Sequence, residues 1–169
     1  KNQILDLMDN SAAGVILLGT HPDLQKEINT ILGRSVPSVT IGWTCPGTIG
    51  LATDQFNGAK SAYRHLISTG KKKISILGDN RLPKNKKLKG YFAAAAELNM
   101  PEPLEIFSDS FAGNDHPYSV GYKYAMAVME RLDQIDAALC TSDVFALVLW
   151  AECKQRGIRV PEDLAIIGF

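Results

Sequence analysis

Three histidines, three cysteines and a scatter of carboxylates are the groups in this 169-residue chain best suited to chemistry. Their spacing supports none of the common catalytic constellations. His21, His65 and His116 stand far apart, with no ligand spacing and no carboxylate partner in sequence, so no metal site is expected. Thr69-Gly70-Lys71-Lys72 is similar to the end of a phosphate loop, but His65 stands where that loop needs its first glycine. Lys72 stands where it needs Ser or Thr. No GxGxxG follows a strand, and neither GxSxG nor HExxH occurs. Cys140 sits in an apolar run that suits a buried inert thiol, and nothing beside Cys45 marks it as a nucleophile. Neither an enzyme nor a cofactor is expected.

What remains is a set of polar residues at the ends of apolar runs: Thr20 and His21, Gly42 and Trp43, Asp79 to Arg81, Asp115 and His116, Ser142 and Asp143. The runs themselves alternate with helical patterns. Strands are expected at Ala13–Gly19, Val36–Gly42, Ile49–Thr53, Ile74–Gly78, Leu104–Phe107, Ala137–Thr141 and Leu164–Phe169. Continuous apolar runs such as AGVILLG suit parallel strands covered on both faces. Between them lie a helix opened by Pro22 and stopped at Gly33, one capped by Asp54 and stopped at Gly70, and one through Leu88, Tyr91, Ala95 and Leu98. Two more run through Tyr122 to Leu132 and from Val144 to Arg156. This rhythm gives an α/β fold with parallel sheets flanked by crossover helices. The polar strand ends then share one rim, where carboxylates, cations and aromatic rings suit a polyol or a heterocycle. Each also has a plainer reading. Asp143 suits a helix cap, Trp43 suits core packing, and the run Lys84, Lys86, Lys87 and Lys89 suits a solvated face, with Lys87 the member placed to reach a site.

The helix from Val144 to Ala151 is apolar on every side, whereas a helix covering a sheet needs only one apolar face. Burial among neighbouring helices and a subunit interface centred on Leu147 and Trp150 are both open, the interface being favoured. Formal net charge is zero, which argues against a large nucleic-acid footprint within these residues. An odd number of cysteines without a CxxC pair suits a reduced, cytoplasmic chain. No apolar run reaches the ~20 residues of a membrane span. A start that looks like a helix tail and an end on Ile-Ile-Gly-Phe lead to the expectation of a piece cut from something longer.

Several stretches carry a family resemblance: Thr53-Asp54-Gln55-Phe56-Asn57-Gly58-Ala59, His65 to Gly70 followed by Ile74 to Gly78, and Leu88-Lys89-Gly90-Tyr91. Further on come Ser119-Val120-Gly121-Tyr122, Cys140-Thr141-Ser142-Asp143 and Gly157 to Phe169. In this order the chain resembles the effector-binding core of the lactose-repressor/galactose-repressor (LacI/GalR) transcription factors. The resemblance implies a two-lobed periplasmic-binding-protein-like (type I) fold with a small effector between the lobes. Residues 1–52 would be part of the N-terminal lobe and residues 53–169 most of the C-terminal lobe, with the DNA-binding helix-turn-helix absent from this chain. It implies effector contacts at Thr20, Arg81, Lys87, Asp115, His116 and Asp143, and a homodimer surface at Leu147 and Trp150. Lys87 stands where the family usually has arginine and Gly42 where many members have aspartate, departures that touch the common sugar-binding geometry.

The expected function is therefore ligand sensing by a bacterial DNA-binding regulator, with operator DNA reached through the missing domain. A periplasmic sugar-binding protein of a transport system shares fold and rim and is the alternative.

Overall fold

In the computed structural model, residues 13–18, 36–42, 48–78, 86–107 and 116–169 are described. The chain divides into two compact units, Lys1–Asp54 and Gln55–Phe169.

The first unit contributes three parallel strands, β1 (Val15–Leu18), β2 (Ser38–Ile41) and β3 (Ile49–Leu51), in the order β1-β2-β3. The register sets Ile16 opposite Val39 and Leu18 opposite Ile41. Because side chains alternate along a strand, Ile16, Leu18, Ile41, Ile49 and Leu51 share one face. That face is exposed among the described residues, while Leu17 and Thr40 on the other are buried. The expectation of strands covered on both faces thus holds on one side only here. The helix expected after Pro22 falls outside the described residues, as do the loops carrying Thr20, His21 and Trp43.

The second unit is a four-stranded parallel sheet in the order β5-β4-β6-β7. Its strands are β4 (Ile74–Gly78), β5 (Leu104–Phe107), β6 (Ala137–Cys140) and β7 (Ala165–Ile167), and its helices are α1 (Gln55–Ser68), α2 (Lys86–Glu97), α3 (Pro117–Met129) and α4 (Asp143–Gln155). All five residues of β4 are buried, as its continuous apolar run requires of a central strand. Period-two alternation splits the core. Ile74, Ile76, Ala137 and Leu139 pack with Ala59, Tyr63 and Leu66 of α1 and Tyr91, Ala94 and Ala95 of α2. Leu77, Ala138 and Cys140 pack with Tyr124 and Val128 of α3 and Phe145 and Leu149 of α4. Both faces are covered, so this sheet has the parallel, helix-flanked architecture expected.

Helix ends follow local chemistry. Gly70 (φ 90°) and Gly157 (φ 71°) lie just past α1 and α4, in the left-handed region that costs glycine nothing. In each case the next residue's N–H reaches back, Lys71 to Leu66 O and Ile158 to Cys153 O, which satisfies the last carbonyls. Asn99 (φ 51°) does the same for α2, its neighbour Met100 donating to Ala95 O. Ser75, the polar residue inside β4, is satisfied by donating to Ala137 O at 3.1 Å.

Candidate functional site

Strand order decides where a ligand would sit. From β4 the chain crosses through α2 to β5 on one side, and from β6 it crosses through α4 to β7 on the other. The connections diverge between β4 and β6, and in open parallel sheets the crevice beyond the carboxyl ends at such a switch point is the ligand position. The groups gathered there are Gly78 at the end of β4, Thr141 and Ser142 after β6, Lys87 in the first turn of α2 and Asp143 opening α4.

The two strand ends meet closely. Thr141 N–H donates to Leu77 O at 2.9 Å, carrying the β4–β6 pairing one residue past β6. A side chain at residue 78 would run into that of Thr141, so glycine is what lets the strands approach. The buried Tyr124 hydroxyl donates to Gly78 O at 2.7 Å and fixes the point where the chain leaves the sheet.

The sequence offers both Ser142 and Asp143 as the cap of α4, and Asp143 also as a ligand group. The structure gives the cap to its neighbour: Ser142 is extended (φ −146°, ψ 141°) and its hydroxyl accepts from Val144 N–H at 3.3 Å. Asp143 is thereby the first helical residue, with its side chain exposed and no described hydrogen bond on its carboxylate. A side chain at residue 168 would strike that carboxylate, so Gly168 gives it room. An acid in the first turn also lies favourably toward the helix dipole.

Lys87 leaves the solvated lysine run altogether. Its ammonium donates to Thr141 O at 2.8 Å and to Phe169 O at 3.2 Å, and lies 4.2 Å from the centre of the Phe169 ring. Burial lowers its pKa, and the charge of Asp143 acts in the opposite direction. His116 precedes α3, which opens on Pro117, and its ring stacks on Tyr118 at 5.4 Å. Thr20, Arg81 and Asp115 lie outside the described residues. Phe169, Thr141 and Tyr118 are the neighbours that sequence reasoning missed. For Phe169 and Thr141 no local signal existed, since the contact is made by a lysine far away in sequence. For Tyr118 the signal was the His-Pro-Tyr spacing itself.

Cys140, beneath the rim, is pushed up to about 12 by burial and then by Asp143, which makes it an inert thiol as expected. No His, Cys, Asp or Glu cluster able to hold a metal occurs among the described residues, and no described helix is long and apolar enough to cross a membrane. On the outer side of α4, Leu147 and Trp150 are 57% and 48% exposed. With Asp143, Ala146, Val160 and Ile166 they line a groove of about 410 Å³.

These features define an α/β domain with a parallel sheet covered on both faces, the candidate site being the crevice at its carboxyl edge. The chain belongs to the family of the periplasmic binding protein-like domain, which matches residues 63–169. Among curated relatives, the HTH-type transcriptional repressor CytR of Escherichia coli is 30% identical over 92% of this chain and 46% of its own length. The HTH-type transcriptional repressor PurR of Mannheimia succiniciproducens is 28% identical over 79% of this chain and 40% of its own. This chain thus spans about half the length of the curated relatives it matches, or somewhat less. Of solved structures, the transcription regulator GntR from Chromobacterium violaceum superposes with a TM-score of 0.76 at 29% identity, over 99% of this chain and 61% of that one. A LacI family transcriptional regulator from Enterococcus faecium with bound ribose shares the fold with a TM-score of 0.79 at 20% identity, over 98% and 61%. The resemblance to the LacI/GalR effector-binding core, and the periplasmic-binding-protein-like fold it implied, therefore stand. These relatives are transcriptional regulators, not enzymes.

Proposed function

We propose that this chain is the ligand-sensing part of a bacterial DNA-binding transcriptional regulator and takes a small polar effector, a sugar, sugar derivative or nucleobase, at its strand-end rim. The observation that carries the reading is the exposed Asp143 carboxylate, relieved of capping duty by Ser142, across the switch point from the held ammonium of Lys87. A carboxylate beside a fixed positive charge offers a hydroxyl or ring N–H its acceptor without repelling a neutral molecule. His116 precedes α3 with a stacked aromatic pair, and the family resemblance adds Thr20, Arg81 and Asp115 as proposed effector contacts.

The repressor names of the relatives support a regulator over a transport protein. In that role the chain catalyses nothing, acts in the cytoplasm, reaches operator DNA through a domain outside these residues and pairs as a homodimer through Leu147 and Trp150. The effector regulates by binding one conformational state of the sensor more tightly than the other, since equal affinity shifts nothing.

A thermal-shift screen of the intact protein against sugars, sugar phosphates, polyols and nucleobases tests this. A ligand at a hundredfold over its dissociation constant adds about 2.7 kcal/mol. The expected result is a hit that Asp143→Ala abolishes. A hit indifferent to that change moves the site elsewhere.

A further inference from the structure

The β6–β7 ladder pairs three residues of each strand. Ala137, Ala138 and Leu139 pair with Ala165, Ile166 and Ile167. Two residues further along the same register, Thr141 would face Phe169, yet their carbonyls are bridged by the Lys87 ammonium, at 2.8 and 3.2 Å. The Asp143 side chain occupies the space beside Gly168. Lys87 comes from a third element, α2, and donates to one carbonyl beyond the end of each strand. Its charge rests on the Phe169 ring, 4.2 Å away, and the ring's far edge packs against Gly58 of α1, where a Cβ would lie 3.0 Å from it. A cation held by two carbonyls and an aromatic face is already solvated by protein.

We propose that Lys87 is a positioning residue: it ties the carboxyl ends of β6 and β7 at Thr141 and Phe169, and so holds Asp143 and the Phe169 ring in place. Its effect on ligand passes through those groups. Arginine at this position would bring a planar fork, whereas the compact ammonium fits a two-carbonyl wedge. The inference rests on the effector-site reading above for its functional consequence, but the clamp itself is independent of any ligand.

Amide hydrogen exchange on the intact protein tests the clamp without ligand, comparing wild type with Lys87→Met and Lys87→Arg. Losing charge-assisted bonds is expected to speed exchange at Thr141, Ile167 and Gly168 roughly tenfold or more, relative to amides in the middle of α3. Lys87→Arg, which keeps a donor and a charge, is expected to recover part of that protection. Unchanged exchange in Lys87→Met overturns the proposal. A uniform acceleration across the domain also overturns it, because Lys87 would then be a general stability element. The second arm is calorimetric titration of the panel compound that binds wild type, using Lys87→Met, Asp143→Ala and the double variant. A positioning role makes the loss in the double variant smaller than the product of the two single losses. Fold losses that multiply indicate a direct contact and refute the indirect route. Absence of any panel hit on wild type refutes the effector-site reading, while the exchange arm still decides the clamp.

Discussion

Replacing Gly90 by alanine is expected to loosen the α1–α2 face of the larger unit more than its size suggests. A Cβ at residue 90 would sit within 3.0 Å of both the Phe56 carbonyl oxygen and the Ala59 Cβ, the latter at 2.8 Å, where ordinary contact begins near 3.4 Å. The nearest obstacle is α1 backbone, which has no rotamer to escape into. The two helices must therefore separate by about half an ångström or more, along a face built from Ala59, Tyr63, Tyr91, Ala94 and Ala95, all nearly or fully buried. Overpacking of this kind costs about 1–3 kcal/mol, and a backbone obstacle places the expectation near 3. At ~3–4 °C per kcal/mol for a domain of this size, the melting temperature should fall by ~10 °C. Urea denaturation of wild type, Gly90→Ala and the Gly90→Ala/Ala59→Gly pair supplies the check. Trimming Ala59 leaves the Phe56 carbonyl in place, so the double variant is expected to recover none of the loss. A midpoint unchanged in Gly90→Ala, or full rescue by Ala59→Gly, would refute the packing argument.

Four further outcomes follow from the same structure. Tyr124→Phe strands the buried Gly78 carbonyl and should cost ~1–3 kcal/mol by urea denaturation. Tyr91→Phe removes a buried hydroxyl with no hydrogen-bond partner among the described residues, so it is expected to be neutral or stabilising in the same assay. Arg159 hydrogen bonds hold the Asp163 carboxyl down at about 2, so its share of stability is present above the ordinary aspartate range near 3.9 and fades as pH falls toward 2. Asp163→Asn should flatten the acid limb of the stability profile slightly, because the pair is exposed. Trp150→Ser is expected to shift the intact protein toward monomer in sedimentation while leaving the melting temperature of the monomeric unit nearly unchanged, the side chain being half exposed.

The sheet of the larger unit was readable because its strands are short continuous apolar runs closed by punctuation. Ile74–Gly78 and Leu104–Phe107 form strands with the expected limits, and the Gly70 and Gly157 stops lie where the helices end. Boundaries are less exact at the other two strands: Ala137–Thr141 gives up Thr141, and Leu164–Phe169 becomes Ala165–Ile167. The apolar-all-round helix was legible as an anomaly, and the exposure of Leu147 and Trp150 agrees with a face left over after the sheet is covered. The site was less legible. Asp143 stood out at a helix start, but only geometry separates it from Ser142 as the cap. The contacts of Lys87 lie 54 and 82 residues away, beyond any local pattern, so the lysine run concealed a residue that ties two strands.

In the proposed sensor, DNA binding answers to a small molecule held at Asp143. The most direct measurement is the affinity of the intact protein for DNA from its own upstream region, by fluorescence anisotropy, with and without the panel compound that binds it, for wild type and Asp143→Ala. The expected result is a change of about fivefold or more in wild type, of either sign, that is absent in Asp143→Ala although the variant still binds DNA. An equal ligand response in both proteins, or a wild-type protein that binds the compound with no change in DNA affinity, would contradict it.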